Sequence, residues 1–161
     1  MDPIIHQLKK SRSVLLVTHT HPDGDAIGSL IAMGLALGGL RKEVTLYCED
    51  SIPAVYRFLP SVGRIVQHCE PDHLFDTAVV LDCGGLPRVG NALSLVERTP
   101  LVINIDHHIT NTIFGNFSFV DGSACATTEI IYRLLKRMDL PIDLSIATAI
   151  YTGILTDTGS F

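Results

Sequence analysis

Residues 14–29 read VLLVTHTHPDGDAIGS, and this stretch decides the fold. The apolar run 14–17 reads as a buried strand, the polar segment 19–25 as a tight turn, and the apolar stretch that follows as a helix. Pro22 fixes its own φ and biases His21 towards an extended backbone, while Gly24 permits a left-handed or close-packed one. Asp23 or Asp25 is placed to cap the helix. His19, His21, Asp23 and Asp25 are thus displayed at the carboxyl end of a strand, where ligands of open α/β sheets bind. A helix cap needs one carboxylate. Imidazole together with carboxylate is a ligand set for manganese, iron or zinc. An EF-hand is excluded, because Ile27 stands where the third oxygen ligand would be.

A chain of 161 residues suffices for one domain with a real core, and 47% apolar residues exclude disorder. A formal net charge of -5 without a basic run argues against a protein that holds long duplex nucleic acid by its phosphates. A short nucleotide held by metals and a few side chains stays compatible with it. No apolar stretch reaches the length of a membrane span, and the first residues lack a signal peptide's apolar core. Cys48, Cys69, Cys83 and Cys125 form no CxxC pair and read as small core residues of a reduced, cytoplasmic protein.

Along the chain, helices are expected at 3–10, 26–40, 91–98, 123–138 and 143–156. Strands are expected at 14–18, 44–48, 64–67, 77–81 and 101–105, with one helical turn at 55–59. The strands at 77–81 (TAVVL) and 101–105 (LVINI) are apolar without alternation, which suggests cover on both faces and a mostly parallel sheet between helices. The fold class is therefore an α/β sandwich.

Three strands end in metal-ligand residue types: His19 to Asp25, then Asp82, then Asp106-His107-His108. In a parallel sheet these ends share one edge, so the residues meet in one cleft. Taken singly, each has a plain structural role as a cap or a surface residue; their repetition at successive strand ends makes that unconvincing. The HxHxD spacing opens like the metallo-β-lactamase motif, but Gly24 replaces its last histidine and too little chain precedes it. The chain is too short for a (β/α)8 amidohydrolase barrel, typically of about 250 residues. Residues 84–90 lack the Gly-Lys ending of a P-loop, and no nucleophile-elbow motif is present.

Residues 17–29, residues 79–84, Asp106-His107-His108 and residues 152–159 resemble motifs I to IV of the DHH phosphoesterases, in order and from about residue 13 to the end. Within that family, residues 121–130 (DGSACATTEI) resemble a stretch of the nanoRNase/pAp phosphatase branch, with Gly122 in place of a proline and Cys125-Ala126 in place of serines.

The resemblance implies a Rossmann-like domain and two divalent cations, manganese favoured. His19, Asp23 and Asp82 would hold one cation; Asp25, Asp82, His107 and Asp157 would hold the other, with Asp82 bridging. His108 would face the substrate phosphate as a catalytic residue, and Asp106 would orient a ligand histidine. His21 matches no required ligand. The implied activity is hydrolysis of short oligoribonucleotides or 3'-phosphoadenosine 5'-phosphate (pAp) by a water activated between two metals. Cyclic-dinucleotide hydrolysis, pyrophosphatase activity and non-catalytic nucleotide sensing are the alternatives. The expected partner is a short oligoribonucleotide or a small phosphorylated nucleotide, with no long duplex and no membrane; a homodimer is compatible. Family members carry a further C-terminal substrate-binding domain, so residues 1–161 are expected to be the catalytic domain without it.

Overall fold

The computed structural model describes residues 1–70 and 72–160. Helix α1 (Asp2–Lys10) precedes strand β1 (Ser13–Val17), which leads through the loop that carries His19, His21 and Asp23 into α2 (Gly24–Gly39). Then follow β2 (Glu43–Tyr47), β3 (Ile65–Val66), β4 (Thr77–Leu81), α3 (Leu93–Arg98), β5 (Val102–Asp106), β6 (Phe117–Val120), α4 (Thr127–Arg137) and α5 (Leu144–Asp157). Short 3-10 turns lie at Ala54–Tyr56, Val62–Arg64 and Leu86–Ala92.

All the strand pairs are parallel, in the order β3-β2-β1-β4-β5-β6. The chain builds outward from β1 to β3, then returns to the other side of β1 and builds outward again to β6. The reversal falls between β1 and β4, and a crevice opens there at the strands' carboxyl ends.

Alternate residues of β1 serve two cores. Val14 and Leu16 pack with α1, α2, α4 and α5; Leu15 and Val17 pack with Val89, Ala92 and α3. Both faces of the central strands are covered, which accounts for their unbroken apolarity. The expected sandwich is present, with the larger core under four helices.

Several expected boundaries shift for identifiable reasons. Of the two candidate caps for α2, Asp23 serves: its carboxylate accepts from the Asp25 and Ala26 N–H groups. His21 is not extended but left-handed, with φ of 56°. Its N–H donates to Asp50 Oδ2 at 2.6 Å, which holds the loop turned. The α-region is closed to a residue before proline, and histidine tolerates positive φ better than most. Strand β6 is not anticipated by the sequence reading; it is short, and its residues are only half-buried. Helix α4 begins at Thr127 rather than 123, because Asp121 turns the preceding segment by accepting from the Ser123 N–H and hydroxyl. Cys48 and Cys83 are core residues as expected, but Cys69 is half-buried and Cys125 exposed; all four are free thiols. Among the described residues no helix is long and apolar enough to cross a membrane.

Helices α2 and α5 approach closely enough that glycine is required between them. A Cβ on Gly28 would lie 2.5 Å from the Ala149 carbonyl oxygen, a backbone atom that cannot rotate away. Gly38, near the end of the same helix, has nothing within 4 Å. Gly28→Ala should therefore destabilise the protein by about 1–3 kcal/mol through overpacking. Gly38→Ala should stabilise it by about 0.4–1 kcal/mol through the unfolded chain. Urea melts of the two variants beside the parent check both signs.

Candidate metal centre

The site assembles at the crevice between β1 and β4. His19 follows β1, Asp23 caps α2, and Asp25 lies in its first turn. Asp82 follows β4, Asp106 ends β5, His107 and His108 come next, and Asp157 ends α5. All the residues implied by the resemblance are thus brought to one place. His21 is not: its side chain is 92% exposed and faces Asp50.

Asp82 stands at the centre. Its φ of 54° is left-handed, a region aspartate tolerates better than most residues. Oδ2 faces His19 Nε2 at 3.6 Å, while Oδ1 faces His107 Nε2 at 3.8 Å and His108 Nδ1 at 3.7 Å. Three groups each bring three ligand atoms within 4.8 Å of one another: His19, Asp23 and Asp82; Asp25, His107 and Asp157; and Asp82, His107 and His108. Asp82 and His107 each belong to two of these groups, so the groups adjoin.

Asp25 is fully buried, and its carboxylate is taken up by the start of α4. Oδ2 accepts from the Thr127 N–H at 2.6 Å; Oδ1 accepts from the Thr128 N–H at 2.9 Å and the Thr128 hydroxyl at 2.7 Å. Gly153 of α5 leaves room for this contact, since a Cβ there would come within 2.6 Å of Asp25 Oδ1.

The electrostatics favour a cation. Burial, and then the nearby charge of Asp82, push the Asp25 carboxyl well above its usual pKa. Asp157 is also raised, by burial and by the charges of Asp82 and Asp23, against the opposing pull of His107. Asp82 is lowered: burial works against its ionisation, but the hydrogen bond and charge of His19 prevail. His107 Nε2 is buried with no hydrogen-bond partner, although Asp157 Oδ2 lies 3.4 Å away. Carboxylates crowded around an imidazole nitrogen with a free valence form a donor set that fits a hard-to-borderline divalent ion.

The second flank of the site is a hydrogen-bonded chain rooted in the sheet. The resemblance implies that Asp106 orients a ligand histidine; Asp106 Oδ1 instead lies 2.7 Å from His108 Nδ1, so the histidine it holds is the one expected to face substrate. Asn111 Nδ2 donates to Asp106 Oδ2 at 2.6 Å and to Asn104 Oδ1 at 2.9 Å. Asn104, buried in β5, donates in turn to the Val80 and Cys83 carbonyls. Nδ1 of His108 is thus engaged by the Asp106 carboxylate.

Residues 13–154 match the model of the DHH family, N-terminal domain. The chain belongs to the DHH family. It is 39% identical over 148 residues to the bifunctional oligoribonuclease and PAP phosphatase NrnA of Thermus thermophilus, covering 92% of this chain and 44% of that protein. The fold matches the crystal structure of an exopolyphosphatase-related protein from Bacteroides fragilis with a TM-score of 0.91 at 28% identity, covering 99% of this chain and 50% of that one. The exonuclease RecJ of Thermus thermophilus, solved in complex with Mn2+, shares the fold at a TM-score of 0.54 and 18% identity, with 96% of this chain and 23% of that one covered. The chain spans about half the length of the curated relatives it matches.

Within this DHH domain, sequence reasoning misses Thr127, Thr128, Asn104 and Asn111. Asn104 is hidden inside an otherwise apolar strand. The threonines act on carboxylates that lie 45 to 103 residues away in the chain. The threonines lie in the 121–130 stretch singled out by resemblance, and the asparagine inside the apolar run 101–105 was the one signal for the other pair.

Protonation of His19 would compete with a cation at this site. Burial lowers its pKa, but the Asp82 hydrogen bond, the Thr20 carbonyl and the Asp82 charge together raise it above the ordinary 6.5. In the metal-free protein the stability from this pair is complete below the unfolded value and is lost as pH rises through the folded one. Metal affinity should run the other way, because the proton must leave first. Calorimetric titration with manganese should show weaker binding at about pH 6 than at about pH 8, and His19→Gln should bind weakly with a flatter pH dependence.

Proposed function

We propose that this DHH domain is a metal-dependent phosphoesterase that hydrolyses short oligoribonucleotides or pAp, using two divalent cations with manganese preferred. The observation that carries the reading is the division of Asp82, whose two carboxylate oxygens face different histidines. That is the disposition needed of one carboxylate shared between two ions. His19, Asp23 and Asp82 would hold one ion; Asp25, Asp82, His107 and Asp157 would hold the other. Bound there, the ions would supply Lewis acidity to the phosphoryl group and lower the pKa of the attacking water. The mixture of imidazole and carboxylate suits manganese.

The chain's own groups do the rest. Asp106, fully buried, accepts from His108 Nδ1, which holds the ring and would leave Nε2 for the substrate. His108 is then suited to touch a phosphoryl oxygen or to give a proton to the leaving oxygen. Asn111 keeps Asp106 from turning away. The net negative charge is no obstacle, because the cations rather than lysines would neutralise the phosphate.

Incubation with manganese and pAp, or a 5'-phosphorylated dinucleotide, should release phosphate or mononucleotide, measured by phosphate assay and chromatography of the products. Asp82→Ala should lose bound manganese and turnover together. His108→Ala should keep its manganese while kcat falls by about 10²–10⁴-fold. Full manganese retention by Asp82→Ala, or metal loss in His108→Ala with His107→Ala unaffected, would contradict the assignment.

A further inference from the structure

Thr127 touches both of the carboxylates that repel each other at the centre of the site. Its N–H donates to Asp25 Oδ2 at 2.6 Å, and its hydroxyl donates to Asp82 Oδ1 at 2.9 Å. Thr127 and Asp25 are fully buried and Asp82 is nearly so. Asp25 is held by three donors from α4. Asp82 Oδ1 has the Thr127 hydroxyl as its nearest donor, with the two histidines at 3.7 and 3.8 Å.

A carboxylate turns easily about its last bond, since that torsion is broad. A carboxylate that gives one oxygen to each of two ions must instead be held in one orientation. Thr127 opens α4, so its backbone is fixed by the helix, and a β-branched side chain in a helix has few χ1 choices. The backbone N–H already binds the capping carboxylate of Asp25, so the hydroxyl is not needed to begin the helix. Its remaining target is Asp82.

We propose that Thr127 is a positioning residue for the metal pair: its hydroxyl holds Asp82 Oδ1 on the His107 side, leaves Oδ2 to His19, and so divides one carboxylate between two cations. This rests on the two-cation reading above. A threonine with only a structural role would affect the fold and leave the coupling between the ions alone.

Manganese titration of residues 1–161, followed by electron paramagnetic resonance, separates these roles. In the parent, the second equivalent of manganese should produce the signal of a spin-coupled pair. Thr127→Val keeps the shape and the N–H but loses the hydroxyl. It should retain the first ion, bind the second about 10–100-fold more weakly, and lack the coupled signal. Thr127→Ser should restore both. If circular dichroism shows the valine variant unfolded, Thr127→Ala removes the same hydroxyl with no added bulk and gives the same reading. Undiminished second-ion affinity and coupling without the hydroxyl overturn the proposal. A parent that binds no manganese pair overturns the two-cation reading itself, and the proposal with it.

Discussion

The buried carboxylate of Asp25 is the constraint around which the helical side of the molecule is arranged. An ionised group without water is costly unless donors surround it. The first turn of a helix offers such donors, because its N–H groups have no partner within the helix. Here α4 supplies them to Asp25 from the Thr127 and Thr128 backbone. The exchange works in both directions: α4 has Ala126 at its cap position, with no side-chain bond, and needs the carboxylate of a distant helix to begin. Gly153 and Gly28 let α2, α4 and α5 come close enough for this.

The opposite flank is held differently. There a line of polar side chains, His108 to Asp106 to Asn111 to Asn104, runs from the crevice into the middle of β5. Every member has a partner, which is the condition for polar groups to be tolerated in a core. The residues of the site thus rest on two rigid supports, a helix start and a sheet-anchored chain, with the reversal of strand order between β1 and β4 leaving the space between them.

Much of this was legible in the sequence. The unbroken apolarity of 14–17 and 77–81 implied strands covered on both faces, and the two cores bear that out. The gathering of His19, Asp23, Asp25, Asp82, His107 and His108 followed from placing ligand types at parallel strand ends, whereas Asp157 came only with the resemblance to the fourth family motif. What stayed hidden depended on partners far away in the chain. Helix α4 starts four residues later than the sequence suggests, because Asp121 turns the chain before it and its first N–H groups are met by the distant Asp25. His21 was read as extended because Asp50, which turns it, is not near in sequence. Strand β6 was missed because FSFV is brief and only half-buried. Cys125 was assigned to the core on residue type alone, whereas the loop before α4 leaves it outside.

The left-handed backbone of Asp82 narrows the replacements open to this position over evolutionary time. Glutamate would keep the charge but not the ease with that conformation, and most other residues would keep neither. Asparagine adopts it readily, is nearly the same shape, and lies a single nucleotide change from aspartate. The position is thus poised between two states of one scaffold, charged or neutral, with little disturbance to β4. That single step would remove one charge from the centre of the site and still keep the fold.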